Sequence, residues 1–537
     1  MRPPAGARRG RAARVVGRAG EMLVYTLVVF GPLLVLLGVA VWGLVRGDPG
    51  LAALLAPTGR RLGLLLNSLA FAGAAAAGGM ALGTLAAVRL WHVQSHRLRQ
   101  LRWLVVALAA VPPYMHGLTW NTAAAFVTRT LHLGGASGLT PQGWVAAWWV
   151  QTMALLPLAV VLALLGFEAI HPRLVEAGRV QRGDLAVLGS LGIPLAGPMV
   201  LAGAGLLFVL SLLDYTVPGL YNLNVYALDV FAEFSASGDP ARALVLSVPL
   251  LIVAAVVVYF SQATWRNAAV EPARGRRAWS TPPAWPRWFA ALETAALAVL
   301  GLQVVVLCVT LAGITHSAGA LVTGVSAAGD EVVFSALVAA LAAVCCLPLA
   351  VVAARGMAAE GWWSRTWWLL VMLPLAVPAP LVGIGLIALW NRPVAVEVYG
   401  TTAMPVLAAL ARFTPFAALV MLAQVRRIDV QLLEAARLLR PGRLAVGTRI
   451  WLPLAAPGLV AAAAVCFALT IGELGATLVV APPGRATVTM RVYNLLHYGA
   501  TDQVAGLSLT IVVVTLAAAL LAAAVLVLLR RHAAGGG

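Results

Sequence analysis

Asp214 and Glu473 are the first places in this sequence where chemistry could reside, because each carries an ionisable group at the end of a long apolar run. A carboxylate in such a setting usually faces a bundle interior or a water-filled path. Two readings are open: a pair that lines or gates a pathway near a cationic solute, or interfacial carboxylates paired with backbone N–H groups or arginine. His116 is a further pathway candidate, against the plainer reading of a histidine hydrogen-bonded within its span. Covalent chemistry has less footing. No paired carboxylates, nucleophile–base arrangement or metal-ligand spacing converge, so no catalytic residue and no metal site are expected. Cys308, Cys345, Cys346 and Cys466 all sit in apolar runs, where cysteine behaves as a small hydrophobe, and no disulfide framework or cofactor is indicated. The chain has no lysine, so it holds no phosphate loop of the GxxxxGK[ST] kind, and any ATP hydrolysis belongs to a separate chain.

The elements that must position these groups are membrane spans. The 537 residues are 61% hydrophobic and 10% charged, with mean hydropathy +0.93, whereas soluble domains carry about a quarter charged residues. Runs long enough to cross about 30 Å of hydrocarbon fall near 22–45, 63–88, 103–127, 144–167, 197–216 and 243–263, then 288–314, 332–354, 367–390, 402–424, 457–479 and 505–530. The fold class is therefore all-α and polytopic, with about twelve transmembrane helices in two six-helix halves. The net charge of +18 comes from arginines in the short connections, such as Arg97, Arg99, Arg173, Arg179, Arg276 and Arg277. That is the positive-inside pattern of a multi-pass inner-membrane protein with both termini cytoplasmic. Lipid rather than nucleic acid is the implied partner, and Arg60 and Arg61 are an exception on the outer side. The first run is too long for a cleaved signal peptide and reads as a retained span. Trp148, Trp149, Trp362, Trp363, Trp367 and Trp368 suit interfacial belts. The expected organisation is a cytoplasmic tail 1–21, a first half 22–263, a polar Pro-rich linker 264–287, a second half 288–530 and a tail 531–537. Pro112 and Pro113 in one third span, and Pro374, Pro378 and Pro380 in its counterpart, should bend or interrupt those helices.

The halves repeat one another. Pro194 to Asp214 is 20 residues and Pro453 to Glu473 is 20; Phe208 precedes Asp214 by 6 and Phe467 precedes Glu473 by 6. Upstream stand Glu176-Ala177-Gly178 and Glu434-Ala435-Ala436, each in the connection between a fourth and a fifth span. Leu432, Leu433, Ala436 and Leu439 recur at helical spacing, Pro441-Gly442 breaks the helix, and Pro453 suits the first turn of the next span.

At these residues the chain resembles the permeases of binding-protein-dependent ABC importers, whose hallmark loop reads E-A-A, three residues, G, nine residues, I-x-L-P. Glu434, Ala435, Ala436, Ile450, Leu452 and Pro453 fall in that register, with Arg440 at the family glycine and Gly442 two places later. The first copy has Gly183 one place late and its proline one place early. The resemblance implies that both loops are coupling helices docking on two copies of a separate ABC ATPase, and that a periplasmic or extracellular substrate-binding protein delivers the solute. The stretch from Gly472 to Thr477, with Ala481-Pro-Pro-Gly484 and Arg491-Val-Tyr493, is similar to fused ferric-iron permeases, which implies ferric iron, with thiamine, polyamines and phosphonates as alternatives. Outside ATP-driven import, a secondary transporter with duplicated halves fits the same span count, and a membrane-embedded enzyme would need a catalytic set that is not seen.

Overall fold

The computed structural model describes residues 5–56, 58–93, 105, 108–109, 111–131, 141–268, 281–314, 326–395, 397–429, 431–432, 434–435, 442–497 and 501–535. Among the described residues the regular structure is all helical. The first half comprises α1 (Ala5–Val45), α2 (Pro49–Leu55), α3 (Gly59–His92), α4 (Pro113–Thr130), α5 (Trp144–Glu168), α6 (Pro172–Gln181), α7 (Asp184–Leu213), α8 (Thr216–Leu220), α9 (Tyr226–Ser237) and α10 (Pro240–Ala268). The second comprises α11 (Arg287–Ile314), α12 (Gly329–Met357), α13 (Gly361–Met372), α14 (Ala379–Trp390), α15 (Ala403–Val425), α16 (Leu444–Ile471), α17 (Thr477–Val480), α18 (Val488–His497) and α19 (Thr501–Gly535). Ten of these helices are long and apolar enough to cross a membrane, and the bent run from α13 to α14 makes an eleventh. The twelfth expected span, 103–127, lies partly outside the described residues; α4 covers its later part.

Proline chemistry sets the exceptions to straight spans. The run 367–390, expected as a span that prolines would bend, turns by 101° between α13 and α14. A single 3-10 turn, Leu373–Ala376, occupies the bend, because Pro374, Pro378 and Pro380 remove backbone donors there. The fifth spans correct the expected boundaries of 197–216 and 457–479. They begin near Asp184 and Leu444 and end at Leu213 and Ile471, so Pro194 and Pro453 lie inside the helices rather than at their start. Each proline follows a π turn, Leu188–Gly192 in α7 and Gly447–Trp451 in α16, closed by Ile193 N–H to Leu188 C=O and by Leu452 N–H to Gly447 C=O. The wider turn gives the proline ring room against the carbonyl it would otherwise strike, so the helix continues through it.

The two halves share details as well as helix order. The Ser68 hydroxyl of α3 accepts from the Tyr226 backbone N–H at the start of α9 at 2.8 Å, and the Ser335 hydroxyl of α12 accepts from the Val488 N–H at the start of α18, also at 2.8 Å. Close by, Arg60 pairs with Asp229 at 2.7 Å and Glu331 with Arg491 at 2.6 Å, the same bridge with its signs exchanged. Arg60, an exception to the charge bias of the loops, thus has a carboxylate opposite it.

The first helix of each half crosses to the other: α1 packs on α14 and α15, and α11 on α3 and α4. Small residues permit such approaches in a bilayer. A Cβ on Gly385 of α14 would stand 2.5 Å from the Pro32 carbonyl oxygen and 2.7 Å from its carbon. Gly385→Val should therefore push α1 off the second half at a cost of about 1–3 kcal/mol. Thermal unfolding of the detergent-solubilised protein reads this as a lowered melting temperature; an unchanged one would mean the crossing is looser than these distances.

Candidate functional site

The segment around Glu176 forms α6, an amphipathic helix lying across the start of α7. Pro172 occupies its first turn, and the His171 ring nitrogen Nδ1 accepts from the Arg173 N–H at 3.3 Å, supplying the N-cap. Val175 is buried beneath it. Gly178 marks the crossing point, since a Cβ there would meet Leu191 Cδ1 at 2.8 Å and the Val187 methyls at 3.3 Å. Glycine here serves close packing of α6 on its own fifth span. Gly183 and Gly442 answer no such need: a Cβ would meet open space at either, and neither has a left-handed backbone.

The opposite face of α6 is solvent-facing and partly apolar. Glu176 and Ala177 are exposed, and Leu174 and Val180 stand out at 50% and 87% exposure. Positions 174, 177, 180 and 181 share one face by helical spacing. In the second half Glu434, Ala435, Gln431 and Leu432 are likewise exposed, as is Leu444 at the start of α16; Ala436 lies outside the described residues. Two matched segments thus each present a carboxylate and apolar side chains at the head of a fifth span.

Around α6 the chain also grips the connection to the second half. Arg179 Nε pairs with Asp184 Oδ1 at 2.8 Å while its Nη1 donates to the Thr281 carbonyl and hydroxyl at 3.2 and 3.0 Å; Asp184 Oδ2 accepts from the Ala284 N–H at 2.5 Å. Following Ala284, Trp285 packs edge-on to His92, and His92 and Arg89 of α3 meet Glu293 of α11 at 3.0 and 3.3 Å.

The other ends of α7 and α16 carry Asp214 and Glu473, and the structure brings these two regions together across the halves. A Cβ on Gly475 would touch both Glu473 Oε1 and the Tyr215 ring at 3.6 Å. Each carboxylate supports the turn that follows it. Asp214 Oδ1 accepts from the Thr216 N–H at 2.8 Å and from its hydroxyl at 2.6 Å; Glu473 Oε1 accepts from the Ala476 N–H at 2.7 Å. The backbone-pairing reading thus describes both carboxylates.

Sequence reasoning missed Arg412. It projects from the middle of α15 and forms an ion pair with Glu473 Oε2, within electrostatic reach of Asp214 and Tyr215. Its signal lies in the sequence, where it is the single cation in the otherwise apolar run 402–424. His116 sits elsewhere on α4. It is fully buried, its ring nitrogen Nδ1 hydrogen-bonded to the Gln303 side chain of α11, whose Oε1 accepts from the Trp120 indole N–H at 2.7 Å. The geometry makes it a tie between the halves. Among the described residues no group of His, Cys, Asp and Glu is placed to hold a metal.

Residues 346–534 match the family described as binding-protein-dependent transport system inner membrane component. The permease protein PhnV of Salmonella paratyphi A, provisionally named for 2-aminoethylphosphonate transport, is 27% identical over 176 residues, covering 32% of this chain and 64% of its own length. PhnU of Salmonella typhi, named for the same transport system, is 36% identical over 89 residues, 17% of this chain and 31% of its own. The chain thus spans just under two thirds of the first of these relatives.

Proposed function

We propose, for a multi-pass chain whose second half carries the inner-membrane domain of binding-protein-dependent transport systems, that it is the two-in-one permease of an ATP-driven importer. In this reading residues 22–263 and 288–530 are two pseudo-equivalent halves joined by a linker at 264–287 and enclosing one pathway. Two copies of a separate ATPase dock on α6 and on the segment around Glu434. Their closure on ATP draws the two docking segments together, and α7 and α16, helices of about 45 Å at 1.5 Å per residue, carry the movement to Asp214 and Glu473. A substrate-binding protein outside the bacterial inner membrane delivers the solute, and both termini and the tails 1–21 and 531–537 are cytoplasmic. The observation that carries this is the pair of exposed, partly apolar segments at the heads of the fifth spans, one per half.

For the solute we favour an organophosphonate over ferric iron, because the relatives bear phosphonate-transport names.

The test is recovery of partners from the native membrane with the tagged, detergent-solubilised chain. Wild type should bring down an ABC ATPase, and Glu176→Ala combined with Glu434→Ala should lose most of it, since each change removes a charge-assisted contact at one docking surface. Wild type that captures no ATPase under mild detergent would move the assignment to a secondary transporter.

A further inference from the structure

The two halves differ in how they satisfy the polar groups near the pathway end. In the second half the acid and the hydroxyl one turn before it both have partners: Glu473 holds Arg412 and the Ala476 N–H, and Thr470, the counterpart of Ser211, donates to the Cys466 carbonyl at 2.7 Å. In the first half the second oxygen of Asp214 and several groups beside it are buried without one. Asp214 Oδ2, both amide atoms of Gln151, the Ser211 hydroxyl and the Tyr215 hydroxyl lack a hydrogen-bond partner. Gln151 and Ser211 are each 1% exposed. A buried polar atom left unpaired costs about 1–3 kcal/mol, so five in one place demand an explanation.

Their arrangement gives one. Gln151 of α5 approaches the Asp214 carboxylate without reaching hydrogen-bond geometry, Ser211 precedes Asp214 by one helical turn, and Tyr215 follows it, its ring stacked on Phe231 with centroids 5.5 Å apart. Four of the five atoms are oxygens, able to accept. The one guanidinium near both carboxylates is paired with Glu473, and Asp214 has no ion-pair partner among the described residues. Oxygen acceptors around an excess negative charge suit a primary ammonium group, which brings three donors and one positive charge.

The geometry points to an amine-recognition site in the first half, where Asp214, assisted by Gln151 and the Ser211 and Tyr215 hydroxyls, receives the ammonium group of the solute as the halves part. The inference rests on the permease reading and narrows it: the solute carries an amine, and the halves contribute unequally, the first binding and the second holding Arg412 in its ion pair.

Asp214→Asn separates this from a capping role. Asparagine keeps the oxygen that caps Thr216 and caps helices as well as aspartate does, but it lacks the charge. The experiment uses the full complex of chain, ATPase and binding protein in proteoliposomes, with ATP-driven uptake of 2-aminoethylphosphonate as the readout and ATP hydrolysis and melting temperature alongside. Asp214→Asn should lower initial uptake at least tenfold, Gln151→Leu severalfold, and Asp214→Glu should recover part of the loss. Hydrolysis and melting temperature should stay near wild type. Uptake by Asp214→Asn at the wild-type rate, or wild-type vesicles that hydrolyse ATP and import no 2-aminoethylphosphonate, would overturn the amine site while leaving the permease reading intact. Failure of the ATPase to assemble with wild type would instead break the permease reading on which the site depends.

Discussion

Arg412→Ala should unfold this protein at markedly lower temperature, by an amount corresponding to about 3 kcal/mol. Glu473 is 5% exposed and would be left as a charge in a low-dielectric site with only the Ala476 N–H for support. Removing one partner of a buried pair typically costs about 3–5 kcal/mol, because the stranded charge dominates, whereas replacing both can be close to neutral. The low end fits, since the Arg412 side chain keeps 26% of its surface exposed. The double change Arg412→Ala with Glu473→Gln should therefore recover much of the loss, glutamine still accepting from Ala476. Thermal unfolding followed by tryptophan fluorescence compares wild type with the single and the double variant. Equal losses in single and double variants would mean that the pair acts through packing and not through charge.

Arg412 also illustrates which parts of this molecule the sequence makes legible. Span number and the duplication are statements about hydropathy and spacing, both of which a linear pattern carries, and the 20-residue interval from proline to acid survives as one physical object, the stretch of fifth span after its π turn. Helix ends are less visible. The expected spans at 197 and 457 start too late because the arginine- and glycine-bearing residues before them look like loop, yet the helices extend back through π turns to Asp184 and Leu444. Partners separated in sequence are invisible altogether: nothing in a run of residues links position 412 to 473, or Glu293 to Arg89 and His92. Glycine roles are similarly hidden, since Gly178 matters for what it lies against, Leu191 and Val187, and not for its place in a motif.

The substrate remains the point where residue types speak least directly. The expectation of ferric iron rests on the segment from Gly472 onward, and the Glu473 carboxylate there is committed to Arg412 and to its own turn. The polar groups with capacity to spare belong to the other half. Asp214 and Gln151 are therefore the groups through which solute chemistry acts in the proposed site.

Glu293→Leu should weaken both the fold and the coupling of ATP hydrolysis to transport. Glu293 is fully buried in α11, the helix that crosses from the second half onto the first, and it faces Arg89 and His92 at the end of α3. His92 Nε2 lies 3.0 Å from the carboxylate and 3.2 Å from the Trp285 indole nitrogen. One ring nitrogen cannot donate to the first and accept from the second at the same time, so with Glu293 present the N–H is drawn to the carboxylate, and without it Nε2 is released to accept from Trp285. Arg89, one third exposed, can turn towards solvent. These two adjustments reduce the cost below that of a fully stranded pair, to about 2 kcal/mol. The functional loss should exceed the loss of stability, because Trp285 directly follows the segment that Arg179 and Asp184 hold beside α6. In the proposed docking, a push on α6 would reach α11 through that segment only while α11 is anchored to α3. Glu293→Leu in reconstituted complex should thus keep most of its ATP hydrolysis while transporting several times less solute per ATP. Transport and hydrolysis falling in equal proportion would place the effect in assembly, and would mean that the linker follows the motion without transmitting it.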